Sequence, residues 1–256
     1  MKQAELANVI YKCVFIFLAF LLATNAHSSS VGELFTYEIN GKTYEGYYIS
    51  ERANAPLVLL IHDWDGLTDY EVKRANMLTE LGYAVLAADL FGKGVRPTEV
   101  EDKRQHTGAL YKDRNKMRAL LQGALNEAEK KGANTNKAVA MGYCFGGAAV
   151  LELARSGADL KGFITFHGGL QTPDAQNYQN AKGKILILHG TADSHITMEH
   201  FAALANELEQ AKVDHEMISY GGAPHAFTVF GSSSYRQEVD EKSWARFLTF
   251  LQSELR

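Results

Sequence analysis

Gly142-Tyr143-Cys144-Phe145-Gly146-Gly147 decides how the rest of the chain is read. The hexapeptide follows the apolar run Ala138-Val139-Ala140-Met141 and precedes Ala148-Ala149-Val150-Leu151-Glu152-Leu153-Ala154, which has helical composition. A strand that turns sharply into a helix, with glycines two residues before and after the apex, is the form of a nucleophile elbow. The apex holds a cysteine. On residue type alone a single Cys is more often a small buried hydrophobe than a catalyst. The glycine frame favours the second reading, provided that an acid and a base follow downstream.

The chain has 256 residues, 46% hydrophobic and 22% charged, as in an ordinary globular protein. Its net charge is −4 and no Lys/Arg cluster stands apart from neighbouring acids, which argues against a nucleic-acid partner. Residues 1–26 read as a secretory signal peptide. Lys2 and Lys12 precede the unbroken apolar run Val14 to Ala23, and Thr24-Asn25-Ala26 offers small residues before a cleavage point. A membrane anchor needs about 17–25 apolar residues, more than this run supplies. Cleavage leaves residues 27–256 as a single domain with a net charge of −5, no stable membrane insertion and, since Cys13 is removed, Cys144 as its one thiol. The expected location is the periplasm. Nothing in the sequence bears on oligomeric state.

Leu34 to Ile39 and Thr43 to Ser50, joined by Asn40-Gly41, predict an antiparallel hairpin with a primed turn. Beyond it, near-continuous apolar runs alternate with helical periodicity. Strands are expected at Leu57–His62, Tyr83–Ala88, Lys137–Met141, Phe163–Phe166, Ile185–His189 and His215–Tyr220, and helices at Asp69–Leu81, Ala109–Lys131, Thr197–Ala211 and Tyr235–Leu255. Gly92 to Thr107 reads as loop. The pattern predicts an α/β fold, a mostly parallel sheet with helices on both faces, in which ligands bind beyond the carboxyl ends of the strands.

Two strand ends supply what Cys144 needs. Asp193 lies in the turn after Ile185–His189, and His225 lies on the loop after His215–Tyr220. The order nucleophile, acid, base is that of the α/β-hydrolases. His225 would take or hold the Cys144 proton, and Asp193 would fix the imidazole. A developing oxyanion needs two donors, here the backbone N–H of Phe145 and that of Trp64, on the loop after Leu57–His62. Among the rival histidines, His62 and His189 end apolar runs and read as packed core residues. His167 also falls near a strand end, and His195 sits too close to Asp193 in sequence to face Cys144. No metal-ligand spacing and no cofactor motif is present.

With these residues in place the chain resembles the dienelactone hydrolase (carboxymethylenebutenolidase) family within the α/β-hydrolase fold. The resemblance rests on the hexapeptide, on Ala88-Asp89-Leu90-Phe91 and on the Asp193 and His225 segments. It implies cleavage of small esters or enol-lactones through a Cys144–His225–Asp193 triad and an acyl-enzyme. It also implies an acid touching the resting thiol; Asp63 holds that position, where the family has Glu. The family's two substrate-clamping arginines correspond here to Lys93 and Val229. Arg96, Lys103 or Arg104 could replace one clamp, so the substrate is expected to differ from dienelactone. A silent binding or thiol-redox protein, and an acyltransferase using the same three residues, are the alternatives.

Overall fold

The computed structural model describes residues 32–256. The signal-peptide reading of residues 1–26 lies outside this range. Among the described residues no helix is long and apolar enough to cross a membrane.

Eight strands form one sheet: β1 (Glu33–Ile39), β2 (Lys42–Ile49), β3 (Pro56–Ile61), β4 (Ala84–Ala88), β5 (Asn134–Tyr143), β6 (Gly162–Phe166), β7 (Lys184–Gly190) and β8 (His215–Tyr220). Their spatial order is β1-β2-β4-β3-β5-β6-β7-β8. The β1–β2 and β2–β4 pairs are antiparallel and all others parallel, so the hairpin extends one edge of an otherwise parallel sheet. Asn40 and Gly41 both take positive φ, 51° and 74°, as a type I′ turn requires.

Six helices cover the sheet: α1 (Asp69–Thr79), α2 (Val100–Lys112), α3 (Arg114–Lys130), α4 (Phe145–Arg155), α5 (Met198–Ala211) and α6 (Gln237–Glu254). Alternation along the strands sorts the core into two layers. Leu57, Leu59, Ile61, Leu86, Phe163 and Ile187 face α3, α4 and α5. Val58, Leu60, Val85, Met141, Ile164 and Leu188 face α1 and α6. Strands buried on both faces explain why these runs lack a polar alternate position.

Between β4 and β5 the structure departs from the expected elements. Residues 92–107 are loop only as far as Glu99, and the single helix expected over Ala109–Lys131 is two helices. Asp113 sits between them outside helical geometry, and its side chain accepts from the Lys116 N–H at 2.9 Å, capping α3. The cap ends one helix and starts the next.

The elbow glycines are required by close approach. A Cβ on Gly146 would lie 2.3 Å from the Ile61 carbonyl oxygen and 2.5 Å from that of His62, and one on Gly142 would lie 2.3 Å from the Gly146 carbonyl. The helix can therefore pass across the end of β3 only without side chains at these points. Gly146→Ala is expected to cost on the order of 3 kcal/mol, because backbone atoms must shift to admit the methyl. A lowered urea midpoint with an unchanged denaturant slope would show it.

Candidate active site

Strand β5 delivers Cys144 at the carboxyl edge of the sheet, and α4 begins at the next residue. Cys144 has φ 50° and ψ −111°, a strained conformation for a residue with a side chain. Three residues hold it there: its N–H donates to the Phe166 carbonyl at 3.1 Å, and its carbonyl accepts from Ala148 and Gly169 N–H, each at 3.3 Å. The half-buried thiol thus projects from a rigid apex.

The loop after β8 brings His225 to this thiol. Its Nε2 lies 3.1 Å from Cys144 Sγ, and its Nδ1 lies 2.6 Å from Asp193 Oδ2. Asp193 is itself fixed, because its other oxygen accepts from the backbone N–H groups of His195 and Ile196, both at 2.9 Å. Burial disfavours a charged His225. The hydrogen bonds to Asp193 and Cys144 and the negative charge of both overcome it and lift the imidazole pKa to about 10. Burial raises and these hydrogen bonds lower the Asp193 carboxyl, which ends below its ordinary value. At neutral pH the arrangement is an imidazolium between an acid and a sulfur. Such a pair can attack an acyl carbon and then protonate the leaving group.

The line opens into a cleft of about 340 Å³, walled by Trp64, Tyr111, Cys144, Phe145, His195 and Ile196 and also touched by Asp63, Arg104 and His225. The backbone N–H groups of Trp64 and Phe145 have no protein acceptor among the described residues, leaving both available to an oxyanion. Asp63 reaches the cleft but forms no hydrogen bond with Sγ; its Oδ1 accepts instead from the Asp65 N–H at 3.0 Å. Burial, reinforced by Asp65, Glu71 and Cys144, pushes its carboxyl up to about 10, so it is neutral at physiological pH.

A model of the dienelactone hydrolase family matches residues 45–255 of this chain. The chain belongs to the dienelactone hydrolase family. It is therefore a hydrolase, built for ester or lactone substrates on the α/β-hydrolase fold. A Yersinia pestis protein named for carboxymethylenebutenolidase activity is 25% identical over 203 residues, 75% of this chain and 76% of that one. The solved structure of m3DLH superposes with a TM-score of 0.84 at 30% identity, covering 90% of this chain and 100% of the other. A dienelactone hydrolase-like promiscuous phosphotriesterase from metagenomic libraries superposes with a TM-score of 0.83 at 28% identity, covering 89% and 99%.

Within this family member the other histidines separate by environment. His62 is fully buried, with Nδ1 donating to the Asp63 carbonyl at 2.6 Å and Nε2 accepting from the Leu90 N–H at 3.0 Å. His189 is buried, has no partner for either ring nitrogen among the described residues, and stacks on Phe201. His195 is displaced from Sγ but not from the cleft, where its ring meets that of His225 edge-on at 5.7 Å. His167 packs edge-on against His225 at 5.3 Å, and burial, aided by the neighbouring His225 charge, holds it well below its usual pKa and neutral.

His167 begins a buried chain of contacts behind His225. Its Nε2 meets Thr228 Oγ1 at 2.8 Å, and the Tyr70 hydroxyl donates to the same oxygen at 2.8 Å. Arg74 Nη2 donates to the Thr228 carbonyl at 3.0 Å and to Asp240 Oδ1 at 2.5 Å. The loop carrying His225 is thereby tied to α1 through Tyr70 and Arg74 and to α6 through Asp240.

Lys93 and Arg96 do not fit the substrate-contact expectation. Neither lines the cleft. Arg96 is paired with Glu45 at 3.1 Å and faces Asp89 at 4.0 Å, while Lys93 is exposed. The cation at the cleft is Arg104, one turn into a helix that the sequence reading took partly for loop. Arg104 was one of the three cations that the sequence offered as a replacement clamp, whereas Tyr111, on the same helix, was not singled out because nothing in its local sequence marks it. Among the described residues, no group of three or more His, Cys, Asp or Glu side chains could hold a metal ion.

Proposed function

We propose that this enzyme hydrolyses small carboxylic esters or lactones through Cys144 as nucleophile, His225 as proton carrier and Asp193 as its orienting acid. The observation that carries the reading is the unbroken line from Sγ through His225 to the Asp193 carboxylate, 3.1 and then 2.6 Å, opening on a cleft. The thiolate adds to the substrate carbonyl, and the oxyanion is held by the Trp64 and Phe145 N–H groups. As the tetrahedral centre collapses, the C–O bond breaks and His225 protonates the departing alkoxide, leaving a thioester on Cys144. Water then adds to the thioester, with His225 taking its proton, and the acid departs as the thiolate returns. A lactone follows the same course with the leaving alcohol still attached to the acyl group.

Neutral Asp63 and the apolar walls suit an uncharged reacting carbonyl. Lys93 and Val229, at the family's two clamp positions, do not line the cleft, where Arg104 is the arginine present, which supports a substrate range apart from dienelactone. Rapid acid quench after mixing with a 4-nitrophenyl ester is expected to yield a protein heavier by one acyl group, located by peptide mass mapping to the segment holding Cys144. An adduct mapping to any other residue, or none under burst conditions with a reduced thiol, would sink the reading.

A further inference from the structure

A second cavity, about 360 Å³, opens beside the cleft and shares Tyr111, Gly169 and Ile196 with it. Its polar lining is Arg114, Arg155 and Gln171. Three guanidinium groups meet here on one acid: Glu152, whose side chain is wholly buried, lies 3.5 Å from Arg114, 2.6 Å from Arg118 and 2.8 Å from Arg155. One carboxylate neutralises one of the three. Among the described residues no other acid forms an ion pair with any of the three guanidinium groups.

The three arginines differ in what they hold. Arg155 donates to Glu152, to Gln176 Oε1 at 2.9 Å and to the Tyr178 hydroxyl at 2.7 Å, and Arg118 donates to Glu152 and Gln176. Both are committed to the fold. Arg114 has only the long contact to Glu152; its Nε is buried without an acceptor, and its Nη2 makes no hydrogen bond among the described residues. The guanidinium lies 4.7 Å from the Tyr111 ring centroid, and that ring packs edge-on against Phe145 at 5.5 Å. One aromatic ring therefore separates the under-used cation from the residue that follows the nucleophile. Burial and the flanking Arg155 and Arg118 depress its pKa despite Glu152, in keeping with an excess of positive charge.

We propose that Arg114, in the field of Arg118 and Arg155, is an anion subsite opening off the Cys144 cleft, and that it selects esters bearing a carboxylate on the acyl arm. This rests on Cys144 being the acyl acceptor. The leaving group must face His225, whereas the side cavity lies towards Tyr111 and Ala148, so the arm it receives is the acyl one. A carboxylate rather than a bulkier anion suits a single under-used guanidinium, whose planar edge matches two oxygens. The site is distinct from the positions of Lys93 and Val229, neither of which lines the cleft.

Steady-state hydrolysis of the mono-4-nitrophenyl ester of glutaric acid, against the same ester with its free carboxylate methyl-capped, tests the proposal. Wild-type kcat/KM is expected to favour the free acid by about ten- to a hundredfold, the worth of a hydrogen bond to a charged group. In Arg114→Gln that ratio should fall towards one, mainly through KM. Equal handling of the two esters by the wild type would overturn the subsite while leaving the hydrolase reading intact, and this outcome needs no variant to fold. A preference that survives in Arg114→Gln and disappears in Arg104→Gln would also overturn it, by moving the anion to the cleft. Turnover of neither ester by the wild type would remove the hydrolase reading and the subsite together.

Discussion

Cys144→Ala is expected to lower kcat for ester hydrolysis by on the order of 10⁴-fold or more, because it removes the one nucleophilic atom in hydrogen-bond contact with His225 at the cleft. His225 would remain, held by Asp193 but without the thiol that helps to raise its pKa, and could at best direct water at the substrate without a covalent intermediate. The stability effect should be a modest loss, since His225 loses a partner that raises its pKa while alanine keeps the unfavourable backbone geometry of position 144. Initial rates with a 4-nitrophenyl ester, alongside a thermal melt, separate the two. A variant that kept the wild-type rate would show that the line through His225 is not the reacting one.

Asp193→Asn should reduce kcat/KM by about 10²- to 10⁴-fold and also move its pH dependence. Asn preserves the shape, and its amide oxygen can still receive the His195 and Ile196 N–H groups, which turns the amide nitrogen towards His225 Nδ1. Donor then faces donor, and the imidazolium loses its counter-charge. The sign follows from the direction of the shift. In the wild type the protonated imidazole persists up to a pKa of about 10, so activity that requires it falls as pH rises through that value. Removing the main raising partner brings the alkaline limb to lower pH. The stability linkage runs the same way: the raised His225 pKa stabilises the fold fully below its unfolded value and ceases to do so as pH rises through about 10. A pH–rate profile with an unmoved alkaline limb would contradict this assignment of the acid.

The legible part of the molecule was the part governed by local rules. Glycines at 142 and 146, apolar runs of strand length and the Asn40-Gly41 turn each have a single cheap conformation, and the structure contains all three. Cys144, Asp193 and His225 were readable because each closely follows a strand of a parallel sheet, where topology alone brings the loops together. The region from Glu99 to Lys116 was not, since one capping aspartate at 113 outweighs the helical preference of its neighbours. The sequence offered Arg96, Lys103 and Arg104 as replacement clamps; which of them reaches the cleft, and that Tyr111 does, depends on how a helix pair lies across the sheet, which no periodicity encodes. The pairing of Arg96 with Glu45 was hidden for a related reason: the partner is a distant residue on the edge hairpin.

The tie between Thr228, Arg74 and Asp240 sets an order on how the enzyme comes into being. In the chain Cys144 comes long before His225, and the loop that carries His225 is held from two sides, by α1, made early, and by α6, made last. The α6 side of that clamp is in place only once Asp240 has met Arg74. A chain ending before Asp240 would keep the Tyr70 and Arg74 contacts to Thr228 but leave the buried Arg74 guanidinium without its carboxylate.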